Sequence, residues 1–109
     1  MNSKPSAPRG DPDYRYPGIH EDLFGGMTDV GAIIKDAWAL GLIDEEETCA
    51  GWTVRQLQAL YDQVYEAWGP YQHMVSLLPP EMKERYLRIY TDSTRRAKEL
   101  GWVPPMEAG

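Results

Sequence analysis

The chain has 109 residues, with 11 Lys and Arg against 17 Asp and Glu, which gives a formal net charge of −6 at pH 7. This length allows one domain, and the acidic balance argues against nucleic acid and anionic membranes as partners, because both require clustered cations. The single cysteine, Cys49, excludes an internal disulfide and a metal site built from several thiolates of this chain. No apolar run approaches the roughly 20 residues of a membrane span. The N-terminus has no apolar core like that of a secretory signal, so we expect a cytoplasmic protein.

The first 26 residues differ from the rest, with four prolines, four glycines and no helical or strand periodicity. Large apolar side chains nevertheless recur there, namely Tyr14, Tyr16, Ile19, Leu23 and Phe24. We therefore predict an extended arm over 1–26 that lies on its own domain or on a partner. A disordered arm is the alternative, because this composition cannot form a packed element by itself.

A stripe of apolar residues with helical spacing predicts the first helix: Val30, Ile33, Ile34, Ala37 and Trp38. Thr28 or Asp29 is the predicted N-cap, and Gly41 is the predicted C′ residue of a Schellman-type end. Gly31, in the first turn, either weakens this helix slightly or allows another backbone to approach closely. The acidic residues 44–47 lack the alternating ligands of a calcium loop, so we expect a solvated turn.

The second helix has the clearest start signal in the chain. Thr53 and Gln56 fit a capping box, and Trp52 and Leu57 fit the hydrophobic staple that accompanies it. Gly69-Pro70 breaks or bends this helix. We expect a second helical piece after Pro70, meeting the first at an angle, and leave open whether the junction is a bend or a full break.

A heptad-like seam predicts the last helix after Pro79-Pro80: Met82, Tyr86, Ile89, Tyr90, Ser93, Ala97 and Leu100. Gly101 is the predicted C′ residue, with Trp102 beyond it. No run is typical of a strand. The sequence thus predicts an all-α fold, a small bundle of three to four helices over 27–102, with an extended N-terminal arm over 1–26 and a loose tail over 103–109.

Charge is divided along the chain. Residues 1–68 hold five cations and twelve anions, whereas residues 80–100 hold six cations and four anions. The last helix therefore pairs with the acidic part of its own chain or with an acidic partner, and the first explanation is the simpler. The two histidines, His20 and His73, have no second ligand at helical spacing, so we predict no metal site and no catalytic residue in this chain.

Four Trp and seven Tyr stand against one Phe, and these amphipathic rings are enriched at protein interfaces. We predict that part of this aromatic surface binds a protein partner. The candidate partner-binding residues are Tyr14, Tyr16, Ile19, His20, Phe24, Trp52, Arg55 and Trp102. The hypothesis is a non-catalytic accessory subunit of a hetero-oligomeric enzyme. The alternatives are a stand-alone interaction module or regulator, and an independent enzyme that uses Cys49 or the carboxylates.

Residues 18–27, Gly-Ile-His-Glu-Asp-Leu-Phe-Gly-Gly-Met, resemble the opening of nitrile hydratase β subunits, with two extra residues between the acidic pair and Gly-Gly. The order of later segments is also similar: residues 39–43, then Tyr61, Tyr65 and Trp68, then residues 77–82 with Arg85. The resemblance covers roughly residues 18–88 and concerns the helical N-terminal half of those β subunits.

The resemblance implies that this chain holds no cofactor and that a larger α-type partner carries a Cys-rich cobalt or iron site. A chain of this length is similar to the split β-like subunits of thiocyanate hydrolase. The implied chemistry is hydration of a carbon–nitrogen triple bond by water activated on the partner's metal. The family's β chain also supplies an arginine to the oxidised cysteine ligands. An ungapped match places that position near Cys49, where the nearest arginine is Arg55.

Overall fold

The computed structural model describes residues 13–104, and this part of the chain contains three α-helices and no strand. The helices are α1 (Asp29–Ala39), α2 (Val54–Trp68) and α3 (Pro80–Glu99). The prediction of an all-α fold with three to four helices is confirmed. Helix α1 packs against both α2 and α3 and is therefore the centre of the bundle. None of the helices in the described range is long and apolar enough to cross a membrane.

Local sequence signals place the ends of α1 and α2 where they were predicted. The Thr28 hydroxyl accepts a hydrogen bond from the Gly31 backbone N–H (3.0 Å), which caps α1. Gly41 occupies the C′ position with φ 78°. Both hydrogen bonds of a Schellman motif are present at this end of α1. Both hydrogen bonds of the Thr53–Gln56 capping box are present at the start of α2.

Helix α3 ends in the same way as α1. Gly101 has φ 102°, its N–H donates to the Lys98 carbonyl, and the Trp102 N–H donates to the Ala97 carbonyl (2.9 Å). The glycine adopts this left-handed backbone without the steric cost of a Cβ. The chain therefore turns sharply after α3 and holds Trp102 half-buried at the end of the helix.

The second helical piece expected after Pro70 does not form. A single 3₁₀ turn, Gly69–Tyr71, follows α2, and then Gln72 and His73 adopt the left-handed conformation with φ 55° and 58°. A second short 3₁₀ turn, Val75–Leu77, leads into α3. The Gly69-Pro70 junction is thus a full break, because two successive left-handed residues cannot continue a right-handed helix.

The described part of the predicted arm, residues 13–26, packs on the helices of its own chain. The backbone of Tyr16 exchanges hydrogen bonds with Trp52 (2.9 Å) and Gly51 (2.7 Å), and the Ile19 N–H donates to the Thr48 carbonyl. Two 3₁₀ turns, Ile19–Glu21 and Leu23–Gly25, replace the expected extended course after residue 18. Residues 1–12 of the predicted arm and 105–109 of the predicted tail lie outside the described residues.

The hydrophobic core lies between α1, α2 and the 14–19 segment. Its most buried large side chains are Tyr16, Ile19, Ile34, Leu60, Val64, Trp68 and Leu78. Gly31 allows the loop before α1 to lie directly on the helix, because a Cβ there would be 1.9 Å from the Gly26 carbonyl oxygen. The close-approach interpretation of this glycine is confirmed.

Candidate functional site

Two of the eight predicted partner-binding residues are core residues. Tyr16 is 3% exposed and Ile19 is 1% exposed. The Tyr16 hydroxyl donates to the Asp22 carboxylate (2.6 Å), which also accepts a hydrogen bond from the Thr28 hydroxyl (2.6 Å). Burial and this carboxylate both raise the pKa of Tyr16. In this structure the two side chains therefore lie in the core of their own domain.

The other six predicted residues remain accessible to different degrees. His20 and Arg55 are exposed, and the half-buried residues are Tyr14, Phe24, Trp52 and Trp102. Tyr14 and Trp52 pack at the edge of the core. Phe24 has a left-handed backbone, φ 49° and ψ 37°, which a bulky residue rarely adopts. His20 lines a cavity between α1 and α3, together with residues that sequence reasoning did not select.

A groove between α1 and α2 is the main aromatic surface of the described chain. It consists of two adjoining cavities of about 320 Å³ and 500 Å³ that share Ile33 and Tyr61. The larger cavity continues along Val30 and Leu57. The other residues of the smaller one are Asp36, Val64, Tyr65, Trp68, His73, Val75 and Tyr86. We call the two cavities together the aromatic groove.

A chain of ring contacts runs from the mouth of the aromatic groove into the protein. The His73 ring lies 4.8 Å from that of Tyr65 and 6.3 Å from that of Trp68, measured between centroids. Trp68 meets Tyr86 edge-on at 5.9 Å, and Tyr86 lies 4.6 Å from Tyr90. These spacings are those of favourable aromatic pairs, so each ring limits the freedom of the next.

Asp36 fixes the inner end of this ring chain. Its carboxylate accepts a hydrogen bond from the Trp68 indole N–H (3.1 Å) and another from the Tyr90 hydroxyl (2.6 Å). Burial and the Asp36 carboxylate raise the pKa of Tyr90. The phenol is therefore neutral across the physiological range, and it joins α3 to α1.

A separate cavity, of about 350 Å³, lies between the 19–25 turns, α1 and α3. Four of its side chains are cationic, namely Lys35, Arg88, Arg95 and Arg96, and two are acidic, namely Glu45 and Asp92. We call it the cationic pocket. Its apolar walls are formed by Ile19, Trp38 and Ile89, with His20 also at its border.

Lys35 is almost completely buried in the wall of the cationic pocket, with 3% of its surface exposed. Its ammonium donates to the Ser93 hydroxyl (2.8 Å) and lies 3.8 Å from the Met27 sulfur. It also lies 5.1 Å from the centroid of the Tyr90 ring. No carboxylate of residues 13–104 forms an ion pair with it. Burial lowers the pKa of Lys35, and Asp36 and Asp22 oppose this shift from a distance.

The arginines of the cationic pocket differ in how they are compensated. Arg88 pairs with Glu45 (2.8 Å), and Arg95 pairs with Asp92 (3.3 Å). Arg96 makes no ion pair with any residue in the described range. The pocket therefore has two cations without an acidic partner there, Lys35 and Arg96, although the whole chain is acidic.

Cys49 has the character of a core residue. It is 0% exposed, its N–H donates to the Glu47 carboxylate (2.9 Å), and its backbone is left-handed with φ 64°. Burial, aided by Glu47, raises the pKa of the thiol to about 11. The thiolate that nucleophilic catalysis requires is therefore scarce at neutral pH. Among the described residues, no group of three or more His, Cys, Asp or Glu side chains is placed to hold a metal ion.

Sequence reasoning missed Lys35 and Arg96 as candidate site residues. The sequence did contain a signal for Lys35. This residue lies four positions after Gly31, so the two share the buried face of α1 that also includes Ile34. A lone cation on such a buried face indicates either a specific polar partner or a ligand. Arg96 carried no comparable signal, since other basic residues share its helix.

Comparison of this chain with protein-family models, with curated proteins and with solved structures found no match.

Proposed function

We propose that this chain is a non-catalytic subunit, or accessory protein, of a hetero-oligomeric enzyme and that it binds the larger catalytic subunit through the aromatic groove. The observation that carries the proposal is the exposure of two large rings at that groove. Tyr61 is 47% exposed and Tyr65 is 60% exposed, and both line it. Tyrosines of this kind are enriched at the centres of protein interfaces.

The fixed geometry of the groove supports binding to a protein. Trp68 and Tyr86 are held by ring contacts, and Asp36 holds the Trp68 indole. A surface that is already ordered loses little conformational entropy when a partner binds. The groove therefore presents a rigid floor beneath two exposed tyrosines.

The charge around the groove favours a partner segment with apolar side chains flanked by Lys or Arg. Asp29 and Asp36 line the groove, and Asp62 and Glu66 are exposed on the same helix as the two tyrosines. No Lys or Arg lines either cavity within the part of the chain described. Complementary charge of this kind speeds association and selects among partners.

The class of enzyme comes from the resemblance of residues 18–88 to nitrile hydratase β subunits. On this proposal the partner carries the Cys-rich cobalt or iron site, and water activated there hydrates a carbon–nitrogen triple bond. This chain would cover the pocket and supply no ligand to the metal. The buried thiol of Cys49 is consistent with that division of labour.

A stand-alone interaction module is the second candidate, and one observation favours it. Residues 13–26 pack on the chain's own helices, with Tyr16 and Ile19 in the core. The domain therefore completes this part of its core without a second polypeptide. Such a module would use the same aromatic groove toward a partner that is not an enzyme.

Affinity purification of the tagged full chain from its native host tests the proposal. The test variant is Tyr61→Ser/Tyr65→Ser, and the matched control is Leu87→Ser, which removes a side chain that is 51% exposed on α3 and outside the groove. Circular dichroism establishes that both variants fold. We expect the unmodified chain and the control to recover a larger Cys-rich chain with bound cobalt or iron, and the double variant to lose it.

Three results would contradict the proposal. The first is recovery of the same metal-containing chain by the double variant at the unmodified level. The second is recovery of regulatory proteins only, by the unmodified chain but not by the double variant. That result would favour the stand-alone module. The third is hydration activity in the purified chain alone.

A further inference from the structure

We propose that the cationic pocket binds a small organic acid, with the carboxylate held by Lys35 and Arg96 and the hydrocarbon body against the apolar wall. The inference does not depend on the proposed function, because the pocket lies between α1 and α3 and the aromatic groove between α1 and α2. The ligand class follows from three features of the pocket.

The first feature is a buried ammonium that lacks an anion. Lys35 is 3% exposed, and its polar contacts are a hydroxyl and a thioether, Ser93 and Met27. A buried cation is normally paired with an acid, because losing hydration without compensation is unfavourable. A carboxylate in the adjoining cavity would supply the missing charge.

The second feature is Arg96, which adds a second uncompensated cation at the same cavity. Its Cγ would lie 3.6 Å from a Cβ at Gly25, so this side chain passes over the 23–25 turn. A guanidinium offers two parallel N–H donors that match the two oxygens of a carboxylate. The other two arginines of the pocket are engaged by Glu45 and Asp92.

The third feature is the apolar wall, which favours an organic acid over an inorganic anion. Ile19, Trp38 and Ile89 line the cavity. The Trp38 indole N–H donates to the Glu47 carbonyl (3.0 Å), so the indole is held in place as part of that wall. The volume of about 350 Å³ is at the lower end of the range for small-molecule sites. It suits an acid with a short aliphatic chain or a single ring.

Titration of the full chain with benzoate, monitored by ¹H–¹⁵N NMR, tests the inference. Benzamide serves as the neutral isostere and sulfate as the inorganic anion, all at one ionic strength. We expect saturable shifts at the Trp38 indole and the Gly25 amide with benzoate, and at least about tenfold weaker binding of benzamide, since a charged hydrogen bond is lost. Sulfate should also bind more weakly, because it has no apolar body.

Matched variants identify which side chains of the pocket bind the carboxylate of benzoate. Arg96→Gln should raise the benzoate Kd at least about tenfold, whereas Lys98→Gln, an equal charge change on the same helix but outside the pocket, should leave it within about twofold. Lys35→Met should weaken binding as Arg96→Gln does. Thermal unfolding of each variant verifies that it is folded.

Several outcomes would overturn the inference. Three outcomes of the titrations would each contradict a site for a small organic acid: no saturable shifts at the pocket with benzoate, benzamide binding equal to that of benzoate, or sulfate binding equal to that of benzoate. Equal effects of Arg96→Gln and Lys98→Gln would indicate a general response to net charge.

Discussion

The Lys35 ammonium group loses most of its hydration because this side chain of α1 packs against α3. The Ser93 hydroxyl and the Tyr90 ring replace part of that hydration, but no ion pair does so among residues 13–104. The pKa of Lys35 in the folded protein therefore lies below its ordinary value of 10.5. The residue is placed for recognition at a cost in stability, a combination that is frequent at functional sites.

Replacing Lys35 with Met should stabilise the free protein, because Met keeps an unbranched side chain and removes the buried charge. We expect an increase of about 1–2 kcal/mol in the free energy of unfolding at pH 7, measured by urea denaturation. The unfolded chain holds the Lys35 proton to higher pH than the folded one. The advantage of the variant should therefore shrink as pH rises toward 10.5.

Lys98→Met is the control, since Lys98 is exposed on α3 and should tolerate the change with little effect on stability. A less stable Lys35→Met protein would contradict the account. It would mean that the Ser93 hydrogen bond and the Tyr90 contact outweigh the loss of hydration.

The residues that the sequence identified correctly act over short distances. The Thr53–Gln56 capping box and the Gly41 and Gly101 ends each depend on a few neighbouring residues, so their signals are local. The contact between Lys35 and Ser93 joins residues 58 positions apart. Such a pairing depends on how α1 and α3 are packed, which the periodicity of either helix does not specify.

At the scale of elements, two glycines, Gly26 and Gly31, allow the loop before α1 to pack closely against the helix. Gly31 lies against the Gly26 carbonyl, and a Cβ at Gly26 would lie 2.5 Å from the Ile19 Cγ1. The fit holds Ile19 in the core and brings His20 to the border of the cationic pocket. Sequence reasoning could suggest a close approach at Gly31 but could not name the backbone that approaches.

Gly31→Ala should therefore destabilise the protein, because the new methyl would lie 1.9 Å from a backbone oxygen and the loop would have to move. We expect a loss of about 2–3 kcal/mol in urea denaturation, with altered NMR shifts at residues 19–26. Gln63→Ala is the control. Gln63 is exposed in the middle of α2 and alanine favours a helix, so this change should be neutral or slightly stabilising. Equal effects of the two substitutions would exclude the close contact as the cause.

The prediction from the sequence was wrong for one element, the stretch after α2. Apolar spacing over 71–78 was compatible with a helix, and Pro70 is a favourable first residue for one. The chain instead turns at Gln72 and His73, which brings the His73 ring onto Tyr65 and Trp68. The ring contacts that shape the aromatic groove thus depend on a tertiary turn that no local pattern indicated.

At the scale of the whole molecule, the acidic first half and the basic last helix are in direct contact. Arg88 of α3 pairs with Glu45 of the acidic connector (2.8 Å), and the Arg85 guanidinium donates to the Ala39 carbonyl (3.0 Å). The expected pairing within the chain is therefore present at these positions. Both side chains of the ion pair are largely exposed, so the pair orients α3 more than it stabilises the fold.

Five acids with raised pKa values give the whole molecule a common response to alkaline pH, namely Tyr14, Tyr16, Cys49, Tyr86 and Tyr90. The pKa of Cys49 is raised to about 11, and burial together with a neighbouring carboxylate raises the pKa values of Tyr16 and Tyr90 above the ordinary 10.0. In the unfolded chain these groups lose their protons at lower pH than in the folded chain. The unfolded state therefore binds fewer protons above about pH 9, and stability must fall as pH rises through that range.

We expect the free energy of unfolding, measured with urea at constant ionic strength, to be steady from pH 7 to 8.5 and to fall steeply between about pH 9 and 11. The lowered pKa of Lys35 acts in the opposite direction, but it is one group against five. Tyr90→Phe should be less stable at pH 7, because Asp36 loses a hydrogen bond of 2.6 Å. The same variant should show a shallower decline of stability at high pH, since one of the five titrating groups is gone. A profile of unchanged steepness in Tyr90→Phe would mean that the Tyr90 phenol is not protected by the fold.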